Sequence, residues 1–306
     1  MSVMIQHEIL QEITFLKEKR NAVILAHYYQ LPEIQDVADH VGDSLALSKL
    51  ASDLTNELIV FCGVDFMAES AKLLSPQKTI LLPVKDACCP MADMATPADV
   101  ERMKADHPDA AVVSYVNSTT QVKAVSDICC TSGNAIKVIR SLPHKKIIFL
   151  PDENLGSYAA TQIPEKEFVL FKGFCPPHEE MMAVDVKIAR EEHPKALVLV
   201  HPECRPEVRA LADFIGSTAQ ILKYAAESKH KQFIIGTEQS ILHPLKLRSP
   251  KKEFFILGPG LLCPNMKKTT PELLLQSLQK MIHPIDIEPS LAEAARMPVQ
   301  RMLELS

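Results

Sequence analysis

Ala22-Val-Ile-Leu-Ala-His27, Ala111-Val-Val-Ser-Tyr115 and Ala196-Leu-Val-Leu-Val-His201 are three short apolar runs, each ending on a polar ring. Their last residues stand 88 and then 86 positions apart, so one unit recurs three times. Counting 17 residues on from each ring lands on a hydroxyl every time: Ser44 in GDSLALSK, Ser132 in TSGNAIK and Thr218 in GSTAQILK, each with a lysine five residues later. A second apolar run then ends in a polar or acidic turn, in LIVFCGVDFMAES, KIIFLPDENLGS and QFIIGTEQS. A third closes the unit with a cysteine, in KTILLPVKDACCPMAD, KEFVLFKGFCPPHEE and EFFILGPGLLCPNMKK. From ring to cysteine the distances are 62, 60 and 62 residues, giving Cys89, Cys175 and Cys263.

Between a cysteine and the next unit lie TPADVERMKADHPDA, HEEMMAVDVKIAREEHPKA and TPELLLQSLQKMIHP, which read as apolar-striped helices ending at His-Pro. Each unit is therefore expected to run strand, helices, strand, helix, strand, helix. Continuous apolar strands alternating with helices predict parallel sheets covered on both faces. The fold class that follows is α/β, with three homologous α/β domains arranged around a pseudo-threefold axis. Their expected spans are 1–88, 89–174 and 175–267. A helical pattern near Ile5 to Lys19 already precedes the first strand, so the C-terminal helix within 268–306 is surplus and is expected to pack back on the first domain.

A chain of 306 residues with 47% apolar and 23% charged side chains is neither disordered nor collagenous. Its net charge of -5, scattered lysines and arginines, absent tryptophan and 5% aromatic content argue against nucleic acid as a partner. No apolar stretch approaches the ~18 residues of a membrane span, and the first 20 residues lack the order of a signal peptide, so the expected location is the cytoplasm. Eight cysteines there are expected to be reduced, with any special ones serving as metal ligands or reactive groups.

In open parallel sheets ligands bind beyond the carboxyl ends of the strands, where helix N-termini offer free N–H groups to anions. The strand-end pairs His27 and Tyr29, Tyr115 and Asn117, and His201 and Glu203 point one way along extended chain, and the three hydroxyls stand at helix starts. A threefold axis would turn all of them towards one cavity suited to a small polyanion. Glu203 is the carboxylate best placed for proton transfer. The spacing of Cys89, Cys175 and Cys263 matches no local metal motif; their equivalence in the repeat is the signal. Three converging thiolates can hold three corners of a cubane cluster and leave one iron open. The same cysteines with His178 could instead hold zinc, or all three could be buried thiols. Cys62, Cys129, Cys130, Cys204 and Cys88 have no threefold mates, and Cys129 and Cys130 read as preceding a helix. His107, His193 and His283 recur before proline at helix ends.

The ordered phrases AHYYQ, VGDSLALSK, FCGVDFMAE, CCPMADM, SYVNSTT, CTSGNA, PDENLG, HPEC, GSTAQI, GTE and CPNMKKTT resemble the quinolinate synthase family over nearly the whole chain. The resemblance implies one 4Fe-4S cluster held by Cys89, Cys175 and Cys263. It also implies condensation of iminoaspartate with dihydroxyacetone phosphate to quinolinate in NAD biosynthesis, with phosphate and two waters released. Carried over, the substrate contacts are His27, Ser44, Tyr115, Val116, Asn117, Ser132, His201, Pro202, Glu203 and Thr218, with Glu203, Tyr29 and His201 in catalysis. A transient contact with the L-aspartate oxidase that supplies iminoaspartate is a further expectation. The sequence departs from the family in having Cys88 beside the first ligand and Met266 where some members carry another cysteine. A non-catalytic iron-sulfur sensor and a zinc hydrolase are the competing readings.

Overall fold

A computed structural model describes residues 3–258 and 261–306. The first unit holds α1 (Val3–Lys19), β1 (Ala22–His27), α2 (Pro32–Val37), β2 (His40–Gly42), α3 (Ser44–Asp53), β3 (Leu58–Cys62), α4 (Asp65–Leu74) and β4 (Thr79–Leu81). The second holds α5 (Pro97–Asp106), β5 (Ala111–Tyr115), α6 (Thr120–Ala124), β6 (Ile128–Cys130), α7 (Ala135–Ser141), β7 (Lys146–Leu150), α8 (Glu153–Gln162) and β8 (Glu167–Leu170). After α9 (Pro176–Glu179) and α10 (Ala183–Glu192), the third runs β9 (Leu197–Val200), α11 (Pro206–Arg209), β10 (Phe214–Ile215), α12 (Thr218–Glu227), β11 (Gln232–Gly236), α13 (Leu242–Arg248) and β12 (Glu253–Ile256). The chain ends in α14 (Pro271–Lys280) and α15 (Pro289–Glu304).

Three four-stranded parallel sheets result, and all have one topology: β2-β1-β3-β4, β6-β5-β7-β8 and β10-β9-β11-β12. The chain is thus α/β with three homologous sheets. Each sheet has one strand more than the apolar runs predict, because β2, β6 and β10 are only two or three residues long and carry no readable period. Cys129 and Cys130 lie on β6 as a consequence, rather than in a loop before a helix. In each sheet the chain steps first to one side of its opening strand and then to the other. The crevice between β1 and β3, and its counterparts, is where such sheets bind ligands.

Local chemistry agrees with these boundaries. Strands β1, β3 and β5 are buried along their whole length, as two-faced coverage demands. Side chains of Asp43, Asp152 and Ser217 cap α3, α8 and α12, and Thr96 with Asp99 forms a reciprocal box at the start of α5. His107 and His193 are the C-caps of α5 and α10, which is where the His-Pro pattern placed them. His283 lies two residues beyond the cap of α14, in left-handed conformation at φ 55°.

Residues 268–306 form two helices with different neighbours. α14 packs on α1, and Arg20 donates to the Gln279 carbonyl at 3.0 Å. α15 instead lies across α6 and β6 of the second unit and α4 of the first, where Ala295, Val299 and Met302 are fully buried. These three join one apolar core continuous through the first two sheets, whereas much of the third sheet packs in separate clusters. The third unit meets the first through the packing of Tyr28, Tyr29 and Val41 on its core and meets both others through polar contacts such as Tyr29 on Thr218 and His201 on Ser132, and the site lies at that junction.

Candidate active site

His27, Tyr29, Ser44, Tyr115, Asn117, Ser132, His201, Glu203 and Thr218 line one cavity of about 80 Å³, and Cys89, Cys175 and Cys263 line it with them. The structure therefore brings together the whole set inferred from the repeat, but not two residues that only the resemblance adds. Val116 and Pro202 are not on its wall. Val116 is buried in apolar core with its N–H bonded to the Cys130 carbonyl at 2.8 Å, and the Pro202 carbonyl accepts from Arg209. Asp43, Phe66, Cys88, His178, Glu238 and Met266 complete much of the wall.

The cysteines are set by a contact that the fold makes three times. The backbone N–H groups of Asp65, Glu153 and Gln239, each shortly after the third strand of its sheet, donate to the carbonyls of Ala87, Gly173 and Leu261 at 2.9, 2.8 and 2.8 Å. Each acceptor lies two residues before a cysteine. Two carboxylates add to this: Asp152 accepts from the Cys175 N–H at 3.1 Å and Glu238 from the Cys263 N–H at 3.4 Å. Val64 occupies the corresponding place in the first unit. Gly173 is held so tightly that an added Cβ would fall 2.5 Å from the Pro151 carbonyl oxygen.

All eight cysteines are free thiols. Burial, then Glu203 and the other two cysteines, push the Cys175 thiol well above its usual range. Three close thiols so disfavoured as anions are the donor set that a cationic iron-sulfur core stabilises, so the residues present fit such a group. A second donor set overlaps it: one atom each of Cys175, His178 and Glu203 lie within 4.8 Å of one another.

The helix starts are used in a way the sequence reading did not resolve. The capping side chains of α3 and α12 are Asp43 and Ser217, so Ser44 and Thr218 are the first helical residues and their hydroxyls are free of capping duty. Thr218 Oγ1 sits 2.9 Å from the Tyr29 hydroxyl. In the second unit Ser132 precedes α7 and lies 3.1 Å from His201 Nε2.

At both histidine strand ends the backbone N–H two residues on points at the ring: Tyr29 N donates to His27 Nδ1 at 3.1 Å and Glu203 N to His201 Nδ1 at 3.3 Å. Nδ1 is then an acceptor, and the ring hydrogen sits on Nε2. Burial lowers both imidazoles to about 3, aided at His27 by the Lys267 charge and opposed at His201 by Glu203. Glu203 is buried with 3% exposure. Burial opposes its charge, but attraction to the His201 and His178 rings when these carry a proton, with hydrogen bonds from His178 and Tyr115, holds the carboxyl below its usual range. Burial and the facing Glu203 push Asp152 well above the carboxylate range. Of these two acids Glu203 carries the charge.

His178 proves to be central. Its Nδ1 lies 2.7 Å from a Glu203 oxygen and 3.1 Å from Cys175 Sγ, and its ring stacks on His201 with centroids 4.7 Å apart. Glu238, the acid of GTE, forms a buried ion pair with Lys267 at 2.8 Å. The sequence carried a signal for Glu238 in the acidic turn after each second apolar run. Asn117 keeps a buried carbonyl oxygen that has no hydrogen-bond partner among the described residues. A ligand N–H is what that acceptor lacks.

Acid is expected to destabilise the folded chain through its buried strand-end imidazoles. An imidazole that stays neutral down to about 3 when folded but takes a proton at 6.5 when unfolded makes the unfolded chain bind more protons between those values. Stability present above pH 6.5 is then lost as pH falls, by about 1.4 kcal/mol per unit for each ring. Denaturation of the cluster-free chain should show His27→Gln losing less stability than the parent between about pH 7 and pH 5. The paired comparison cancels buried acids such as Asp152 and Glu238, which act in the opposite sense. Equal losses in parent and variant would contradict the neutral, buried state of His27.

The model of the family described as quinolinate synthetase A protein matches residues 11–304. The quinolinate synthase of Caldicellulosiruptor saccharolyticus is 55% identical over 299 residues, covering 98% of this chain and 99% of that one. That of Caldicellulosiruptor bescii is 53% identical with 96% and 97% covered, and that of Alkaliphilus metalliredigens 51% with 97% and 98%. Likeness at this level, end to end, leaves no part of the cavity outside the match, and the chain is an enzyme belonging to the quinolinate synthetase A protein family.

Proposed function

We propose that the cavity condenses iminoaspartate with dihydroxyacetone phosphate to quinolinate, phosphate and two waters, with one 4Fe-4S cluster held by Cys89, Cys175 and Cys263. The observation that carries the reading is the thrice-made backbone anchor, which sets three equivalent cysteines on one wall beside the polar pairs. The sum balances in atoms and electrons, so no oxidant is consumed. A cluster with one open iron supplies Lewis acidity for loss of hydroxide when it is bound.

The chain's own groups do the rest. Ser44 and Thr218, with the N-termini of α3 and α12, hold the carboxylate and phosphate oxygens. Asn117 accepts from the substrate nitrogen through its unpartnered oxygen. This places the enamine carbon against the phosphate-bearing carbon of the triose, so that carbon-carbon bond formation expels phosphate. Glu203 takes protons from carbon and nitrogen as the ring closes, with the Nε2 hydrogen of His201 and the Tyr29 hydroxyl as partners. The domains we adopt are 1–88, 89–174 and 175–267, with 268–306 as the closing helices. No helix among the described residues is long and apolar enough to cross a membrane. We place the enzyme in the cytoplasm, where thiols stay reduced, receiving iminoaspartate from an L-aspartate oxidase by transient contact.

The test is product identification. Anaerobically reconstituted enzyme given iminoaspartate and the triose phosphate should yield quinolinate and stoichiometric phosphate. No quinolinate from iron-loaded protein would overturn the reading and favour a sensor. A zinc hydrolase, which the Cys175, His178 and Glu203 set favours, would show zinc and no iron after metal analysis. In the same assay Ser132→Ala and Thr218→Ala should raise KM about tenfold, the scale of one lost hydrogen bond to a charged group, and lower kcat less. A fall in kcat alone would move those hydroxyls from binding to chemistry.

A further inference from the structure

Gln35, Lys123 and Arg209 stand 88 and then 86 residues apart, so they occupy one position of the repeat. Each sits on the short helix that follows the first strand of its unit, α2, α6 and α11 respectively. All three are buried, and none lines the cavity. An amide, an ammonium and a guanidinium share little but N–H donors on a long stem, so donation is what the position keeps.

What they donate to is repeated as well. Gln35 Nε2 reaches the carbonyls of Tyr28 and Gln30 at 3.0 Å each, on either side of Tyr29. Lys123 Nζ reaches the Ser118 carbonyl at 2.7 Å, one residue after Asn117. Arg209 Nη1 reaches the Pro202 carbonyl at 3.4 Å, one residue before Glu203. Tyr29, Asn117 and Glu203 are the second members of the strand-end pairs, so each donor holds the backbone beside a side chain that lines the cavity.

Each of the three also crosses to another unit, and the crossings close a cycle. Gln35 Nε2 lies 3.4 Å from the Ser240 carbonyl of the third unit. The Lys123 ammonium stands 5.4 Å from the centre of the Phe66 ring of the first. Arg209 Nη1 donates to the Asn154 carbonyl of the second at 2.8 Å, and its Nη2 to Ser157 Oγ at 2.8 Å. Phe66, Asn154 and Ser240 are again one position of the repeat, each directly after the residue whose N–H anchors a cysteine: Asp65, Glu153 and Gln239. One buried side chain per unit therefore ties a strand-end pair to the cysteine anchor of its neighbour. Tyr29 is tied to the anchor of Cys263, Asn117 to that of Cys89 and Glu203 to that of Cys175.

We propose that Gln35, Lys123 and Arg209 are positioning residues, which set the substrate-facing side chain of each unit against the cysteine anchor of the next. This rests on the function proposed above, and it adds three residues that touch neither substrate nor cluster. Because each acts through a different group, their losses differ in kind. Lys123 acts through Asn117, which holds the substrate nitrogen, and Arg209 through Glu203, which moves protons.

Lys123→Met and Arg209→Met keep an unbranched stem and remove the donors. With anaerobically reconstituted enzyme, Lys123→Met should raise KM for iminoaspartate about tenfold and weaken quinolinate binding, read by calorimetry, by a similar factor, with kcat within about threefold of the parent and iron content unchanged. Arg209→Met should lower kcat about tenfold, with quinolinate affinity within about threefold and iron content unchanged. Arg209→Lys, which copies the donor of the second unit, should return kcat to within about threefold of the parent, which packing alone would not do because the Met variant already supplies a stem. If a Met variant does not fold or load iron, the Gln variant at that position, which lacks the reach of the parent side chain, reads the same split. Met variants with parental constants, KM and kcat moving alike in the two variants, or Arg209→Lys no better than Arg209→Met would each overturn the proposal. A parent enzyme making no quinolinate would instead sink the underlying function, and it is seen before any variant is compared.

Discussion

Each of Cys89→Ala, Cys175→Ala and Cys263→Ala is expected to lose most of its bound iron after anaerobic reconstitution, while Cys62→Ala, Cys129→Ala and Cys204→Ala keep it. The three come from equivalent places in the repeat and line one wall, each two residues beyond a carbonyl pinned by the preceding strand's turn. No neighbouring donor can replace one of them without moving such an anchor. Cys88 is the nearest substitute, since it lines the same cavity. The bond from Asp65 N to the Ala87 carbonyl nevertheless sets Cys89, not Cys88, in register with Cys175 and Cys263. The controls are fully buried: Cys62 and Cys129 within strands, and Cys204 with its thiol on the Gly236 carbonyl. Full iron in Cys263→Ala would break the threefold assignment. Full iron in Cys89→Ala, abolished by a further Cys88→Ala, would move the first ligand by one residue.

Glu203→Gln should keep the cluster and bind a dicarboxylate, yet turn over on the order of 10²-fold more slowly, or worse, the usual scale for a general acid-base group. The substitution preserves shape and the oxygen that accepts from Tyr115, but an amide cannot take up a proton. It also turns one end of the side chain from acceptor to donor opposite His178 Nδ1, which stands 2.7 Å away in the parent. Glu203 is well prepared for the role: it is buried, yet hydrogen bonds from His178 and Tyr115 favour its ionised form, while Asp152 beside it is pushed towards the neutral form. Turnover equal to the parent at saturating substrates would leave Glu203 as a positioning group and pass proton transfer to Tyr29, His201 or water.

What could be read from the sequence was whatever the repeat triplicates. The strand-end pairs, the hydroxyls 17 residues on and the closing cysteines lie at fixed offsets, so their convergence needed only a symmetric arrangement of three sheets. Strands β2, β6 and β10 escaped because two or three residues cannot show a period. His178 reads only as an alternative zinc ligand, for the opposite reason. It is unique to one unit, its equivalents being Ala92 and Met266, so equivalence could not place it in the polar network. Its contact with Glu203 appears only in the folded third unit. Asp43 and Ser217 show a finer limit. Sequence places a hydroxyl at a helix start, but only φ and ψ tell the cap from the first helical residue, and that one-residue difference is what frees Ser44 and Thr218 for a ligand. The path of α15 across α6, β6 and α4 was equally hidden, since an apolar stripe says that a helix packs and not on what.

Diffraction from crystals of the anaerobically reconstituted enzyme, recorded at the iron absorption edge, tests the central claim most directly. The account predicts a single iron-dense feature in the cavity bonded to Cys89, Cys175 and Cys263 together, with one iron carrying no protein thiolate and facing Glu203 and Asn117. A feature held by only two of these cysteines, or a single metal ion seated on Cys175, His178 and Glu203, would contradict it.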